Sequence, residues 1–181
     1  MKKIILIGFL SFLFVYGCQQ KDEPKPQFQP PVGQQGQFPS AQSLDHAKIL
    51  QDAVKQDPKN LRAWIELGNL MMDTQKFDEA VTAYSKALEL DPKNVDVRVD
   101  YGTCLRNTGK PDAAVREYKK ALELNPNHLN ANINMGVVLE YDLKDYKQAL
   151  KSFEKALQLQ PNAPNAPQLK AEVEKLRTLA K

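Results

Sequence analysis

Four prolines, Pro58, Pro92, Pro126 and Pro161, follow one another at intervals of 34, 34 and 35 residues. The chain between them repeats itself. Leu61–Asn94, Val95–His128 and Leu129–Ala163 align end to end, closing on ALELDPKN, ALELNPNH and ALQLQPNA. A fixed period of this length belongs to stacked supersecondary units, none of which can bury its apolar face alone. It excludes one central core and narrows function to holding another molecule.

Each unit reads as two helices. In the first, Trp64, Leu67, Leu70 and Met71 form one apolar stripe, and Val81, Tyr84, Ala87 and Leu88 form a second. Pro92 ends the second helix, because proline lacks the amide donor and its ring collides with the preceding turn. In the middle unit Gly109 suits a helix C-terminus and Pro111 the first turn of the next helix. Upstream, Leu44, Ala47, Leu50 and Val54 have helical spacing, and AVKQDPKN echoes the repeat ending. Residues 41–60 therefore read as a half repeat, a second helix without its first. Downstream, in residues 164–181, Leu169, Val173, Leu176 and Ala180 line one face of a charged helix, the pattern of a solubilising cap.

The pattern resembles the tetratricopeptide repeat (TPR). The first unit supplies Trp64, Leu67, Gly68, Met71, Ala80, Tyr84, Ala87 and Pro92. The second supplies Arg98, Tyr101, Gly102, Leu105, Ala114, Tyr118, Ala121 and Pro126. The third supplies Asn132, Met135, Gly136, Leu139, Ala149, Phe153, Ala156 and Pro161. The resemblance implies an all-α fold, a TPR superhelix (α-solenoid) of three helix-turn-helix repeats at 61–94, 95–128 and 129–163, with a leading helix and a C-terminal capping helix. It implies that the glycines and first alanines let the two helices of a hairpin approach. Tyr84, Tyr118 and Phe153 would fill space between adjacent hairpins. Arg98 and Asn132 depart from the family tryptophan, so that pocket is expected to hold aliphatic stems or to stand more open. The third unit has one extra residue in Glu140–Tyr146, read as a lengthened turn, either a tolerated surface insertion or a partner contact.

The N-terminus has a different character. Met1-Lys2-Lys3 precedes Ile4–Tyr16, a 13-residue apolar run. A spanning helix needs about 20 apolar residues, so the run suits a signal peptide, residues 1–17. Val15-Tyr16-Gly17-Cys18 resembles a bacterial lipobox, with Tyr16 replacing the usual small residue. The resemblance implies cleavage after Gly17 and acylation of Cys18, where each buried methylene contributes about 0.8 kcal/mol of anchoring. Gln19 in place of Asp implies outer-membrane sorting, facing the periplasm. Residues 18–40 would then be the lipidated cysteine and a tether. Gln19–Ser40 is rich in proline and glutamine, with too little apolar surface to offset ordering, and spans roughly 25 Å as a flexible chain.

Charge and chemistry narrow the function. The formal net charge is +3, and removing Lys2 and Lys3 leaves 23 basic against 22 acidic residues, +1, which gives no electrostatic claim on nucleic acid. His46, His128, Cys18 and Cys104 have no metal-ligand spacing, Cys104 reads as a small buried hydrophobe, and no nucleophile–base set is present. The expectation is no enzyme, no metal and no cofactor. By resemblance the first helices line a concave groove, presenting Arg62, Ile65, Asn69 and Met72, then Asp96, Val99, Thr103 and Arg106, then Asn130, Ile133, Val137 and Glu140. The series Ile65, Val99 and Ile133 forms a β-branched ridge suited to a peptide or helix, or else packs between first helices. The carboxylate clamp of chaperone-binding TPRs is missing, since Ile65, Asp100, Asn130 and Asn134 stand at its positions. These expectations converge on a membrane-tethered adaptor in the bacterial envelope that holds a protein or peptide partner. The resemblance extends to TPR lipoproteins of envelope assembly and to TPR modules of cytochrome c maturation. The alternative is a self-associating structural lipoprotein.

Overall fold

A computed structural model describes residues 41–181. The signal peptide, the lipobox with Cys18 and the tether to Ser40 lie outside the described residues. The described chain is all helical: α1 (Ala41–Gln56), α2 (Leu61–Asp73), α3 (Phe77–Leu90), α4 (Val95–Asn107), α5 (Pro111–Leu124), α6 (Leu129–Val137), α7 (Tyr146–Leu159) and α8 (Ala166–Leu179). Helix α6 runs on into a π-helical turn, Val138–Asp142. Each helix packs chiefly on the next, and α4 also touches α6, so the pairs α2/α3, α4/α5 and α6/α7 stack as a solenoid. Helix α1 closes one end and α8 the other.

Local chemistry sets the repeat boundaries. At each hairpin junction an Asx turn precedes an N-cap. Asp57 Oδ1 accepts from Lys59 N at 3.0 Å, Asp91 Oδ1 from Lys93 N at 3.2 Å, and Asn125 Oδ1 from Asn127 N at 3.1 Å. Asn60 then caps α2 by accepting from Ala63 N, and Asn94 caps α4 by accepting from Val97 N. His128 caps α6 the same way, with Nδ1 accepting from Ala131 N at 3.1 Å. That bond places the ring proton on Nε2, which reaches Asp96 Oδ1 at 2.9 Å.

Within a hairpin, α2 and α4 end in Schellman motifs. Lys76 N donates to Met71 O and Gln75 N to Met72 O, while Lys110 N donates to Leu105 O and Gly109 N to Arg106 O. The residues Gln75, Gly109 and Lys144 all take a left-handed φ, of 58°, 74° and 58°. In the third repeat Asp145 N reaches Leu139 O, one residue further back than in its counterparts. The extra residue therefore sits inside the helix as the π turn, rather than lengthening the Glu140–Tyr146 turn. Leu143 N closes that turn on Val138 O at 3.1 Å.

The core is two apolar clusters sharing Val81 and Tyr101 along their common border. Tyr84, Tyr118 and Phe153 are fully buried, and each ring lies across the glycine of its own hairpin. A Cβ on Gly68, Gly102 or Gly136 would meet Tyr84, Tyr118 or Phe153 at 2.5, 2.7 or 2.6 Å. The aromatic residues thus seal their own helix pair, a contact additional to the space between hairpins expected for them.

The tryptophan position is also corrected. Trp64 Nε1 donates to Pro58 O at 3.0 Å, Arg98 Nη2 to Pro92 O at 2.5 Å and Asn132 Nδ2 to Pro126 O at 3.4 Å. All three side chains supply an N–H to the carbonyl of the proline six residues earlier. Arg98 and Asn132 are buried, and Arg98 is also ion-paired to Glu117 at 2.5 Å. The position is therefore closed rather than open, and it carries polar donors that the expected aliphatic filling did not include.

Candidate functional site

The first helices α2, α4 and α6 carry the twelve groove positions, and burial divides them. Arg62, Asn69, Asp96 and Asn130 are exposed, while Ile65, Met72, Thr103 and Arg106 are partly exposed. Val99, Ile133, Val137 and Glu140 are buried, at 3, 3, 1 and 2% exposure. The β-branched ridge is open only at Ile65. Among the described residues no first helix precedes α2, whereas α4 and α6 each stand between neighbouring first helices or the cap. Val99, Ile133 and Val137 belong to the C-terminal apolar cluster and pack helix on helix. The accessible surface lies mainly on the first two repeats.

The floor of that surface is a row of hydrogen bonds. Tyr84 Oη donates to Asn69 Oδ1 at 2.8 Å. In the next repeat Thr103 donates to Val99 O, so Tyr118 Oη, at 3.1 Å, donates to Thr103 Oγ1. Asn134 Nδ2 donates to the same oxygen at 3.2 Å, tying α6 to α4. In the third repeat the equivalent groove residue is Val137 and the ring is Phe153, which has no hydroxyl, so each aromatic is matched to its groove residue: Asn and Thr to Tyr, Val to Phe. This pairing was legible in the sequence once the rings were placed inside their own hairpins.

Charge along the groove is partly committed. Arg62 is bound to Glu66 at 2.6 Å and Arg106 to Asp142 of the π turn at 2.5 Å. Asp100 is pushed up to about 6 by burial, then by the neighbouring charges of Asp96 and Asp73, against the opposing influence of His128. The open groove positions therefore present the Ile65 and Met72 side chains and the Asn69 carboxamide.

Catalytic geometry does not assemble around these residues. Among the described residues no group of three His, Cys, Asp or Glu is placed to hold a metal ion. Cys104 is fully buried, and burial followed by Asp100 pushes its thiol up to about 12, so it stays protonated at neutral pH. His128 is engaged as an N-cap. Among the described residues no helix is long and apolar enough to cross a membrane.

Residues 32–166 match the family model described as the cytochrome c-type biogenesis protein H TPR domain. Comparison with curated proteins finds no match. Among solved structures, MamA is 20% identical with a TM-score of 0.70, covering 77% of this chain and 75% of its own. A point mutant of MamA is 29% identical with a TM-score of 0.60, covering 66% of this chain and 69% of its own. The first TPR domain of Spaghetti (RPAP3), bound to the HSP90 peptide SRMEEVD, is 25% identical with a TM-score of 0.59, covering 67% of this chain and 96% of its own.

Proposed function

The chain belongs to the family of the cytochrome c-type biogenesis protein H TPR domain, and from that premise we propose that it is a non-enzymatic adaptor holding a protein segment in its concave groove. The observation that carries the reading is the open stretch of first-helix surface on the first two repeats. There Ile65 and Met72 offer apolar contact and the exposed Asn69 carboxamide offers a polar group, on a stack of helices. A partly apolar strip edged by a side-chain amide suits an amphipathic helix or an extended peptide. The peptide-bound Spaghetti (RPAP3) domain lends support, because a similar fold there holds a peptide. The ligand chemistry differs, since Ile65, Asp100, Asn130 and Asn134 replace the cationic and amide groups of a carboxylate clamp.

We further propose that the adaptor works at a bacterial envelope membrane, anchored through acylated Cys18 and extended on the 19–40 tether toward the periplasm. The sequence of the apolar run and its terminal cysteine supports this. Among envelope processes the family match favours biogenesis of c-type cytochromes.

The groove is tested by Ile65→Glu combined with Met72→Glu, both partly exposed. Capture of the crosslinked cellular partner should be lost while helical circular dichroism is retained. Undiminished capture places the binding surface elsewhere. Ile133 is unsuitable for this test because it is buried. For the anchor, a Cys18→Ala chain should leave the membrane fraction and lack acyl mass.

A further inference from the structure

At the C-terminal end of the stack two carboxylates converge on one ammonium. Lys175 Nζ of α8 lies 2.6 Å from Glu140 Oε1 on the π turn and 2.6 Å from Glu172 Oε1 on α8. Tyr141 Oη donates to Glu172 Oε1 at 3.2 Å, and Lys175 Nζ lies 5.4 Å from the centre of the Tyr141 ring. Glu140 is 2% exposed and Glu172 is 7% exposed. Glu140 Oε2 is buried with no hydrogen-bond partner. An ionised carboxylate with one oxygen buried and unpaired is costly, and a second carboxylate on the same cation makes it more so.

The π turn brings this about. One inserted residue continues α6 past its repeat length and carries Glu140 and Tyr141 to α8, while Asp142 turns the other way to Arg106 of α4. The turn is thus a bridge between the middle repeat and the cap.

We propose that Glu140 and Glu172 share one proton above Lys175, and that this proton latches α8 onto the third repeat so that its loss loosens the C-terminal helix. Glu140 is pushed up to about 7 by burial first, then by its hydrogen bond to Glu172, against Lys175. Glu172 is held below its ordinary value: burial pushes it up, but the bonds from Glu140, Lys175 and Tyr141 outweigh that. Lys175 is raised by both carboxylates despite burial. The charged groups facing Glu140 are therefore Glu172 and Lys175 on α8. Asp142 is committed to Arg106 of α4, and Glu154 of α7 to Arg177 of α8.

Proton linkage sets the direction of the effect. With α8 undocked, Glu140 titrates near its ordinary 4.5, and with α8 docked near 7, so the docked state binds the extra proton between those values. The support that this proton gives to docking weakens as pH rises from about 4.5 to about 7 and is level above it, while Glu172, held low in the docked state, works the opposite way at acid pH. Opening exposes Leu169, Val173 and Leu176, which share an apolar cluster with Phe153 and Ala156. A proton change at neutral pH would thereby uncover the third repeat's end face.

The test is amide hydrogen exchange of α8 in the full chain at pH 5.5 and pH 8, corrected for intrinsic exchange. Wild type should show an α8 opening constant at least about tenfold larger at pH 8, with α2–α5 changing less. Glu140→Gln, a neutral stand-in, should flatten that dependence. Glu172→Gln leaves Glu140 with Lys175 alone and should move the transition to lower pH, which keeps the test intact if the first variant folds poorly. A pH-independent α8 in wild type, or the same dependence in both variants, overturns the latch.

Discussion

Replacing Gly102 by alanine isolates what holds a hairpin together. The added Cβ would lie 2.7, 3.0 and 3.1 Å from Tyr118 Cε1, Cδ1 and Cζ. Carbon atoms rest about 3.5–4.0 Å apart, so the ring must retreat by roughly 0.8 Å. It has nowhere to go, being 1% exposed in a hairpin whose Ala114 and Ala121 are themselves fully buried. Overpacking of this kind costs about 1–3 kcal/mol, and three close contacts on one rigid ring put it near the upper end. Alanine in a helix interior recovers about 1 kcal/mol of propensity over glycine. The net expectation is a loss of about 2 kcal/mol. Urea unfolding followed by circular dichroism measures it. In a Tyr118→Leu background the clash is relieved, so the same substitution should become neutral or stabilising, a coupling of about 2–3 kcal/mol. A single Gly102→Ala chain as stable as wild type, or more so, would show that propensity outweighs the close approach and would refute the packing argument.

Glu117→Ala strands the buried Arg98 guanidinium, whose Nε already lacks a partner, and should destabilise by about 3 kcal/mol in the same unfolding assay. Gln75→Gly relieves a left-handed backbone at an exposed Schellman position and should raise stability by about 0.5–1 kcal/mol, with Gly109→Ala moving the opposite way. Asp100→Asn removes a carboxyl that titrates near 6 in the fold and near 3.8 when unfolded. Wild-type stability should fall as pH rises through that window, and the substituted chain should lose this slope and gain about 1 kcal/mol at pH 7 after allowance for solvent screening at a half-buried site.

The period and the small-residue positions made the fold class legible. Glycines and alanines that recur in register have no other physical reason than close helix approach, and the hairpins place them there. Two features, the donor set and the π turn, escaped because they depend on hydrogen bonds rather than apolar pattern. The donors Trp64, Arg98 and Asn132 have unrelated polarity and share only an N–H aimed at a proline carbonyl. His128 stands in for Asn60 and Asn94 because an imidazole Nδ1 and a carboxamide oxygen accept the same bond. An inserted residue read from sequence has no address within a helix–turn boundary, and here it widened the helix itself.

The groove was legible as a set of positions and less so as a surface. Periodicity places Ile65, Val99 and Ile133 on one face, yet whether that face is open depends on neighbours. Val99 and Ile133 are closed off and Ile65 is not: among the described residues no first helix precedes α2. The residues that set the period are the packing residues, so the repeat pattern defines a scaffold and leaves the ligand to the exposed positions between them.

Site-specific photocrosslinking in the native cell tests the adaptor reading most directly. A photoreactive residue at Asn69, exposed on the first helix α2, is compared with one at Lys119, exposed on the second helix α5. The account predicts a discrete protein adduct from position 69 and none from position 119. Adducts from position 119 alone, or equal adducts from both, would contradict a groove-held partner.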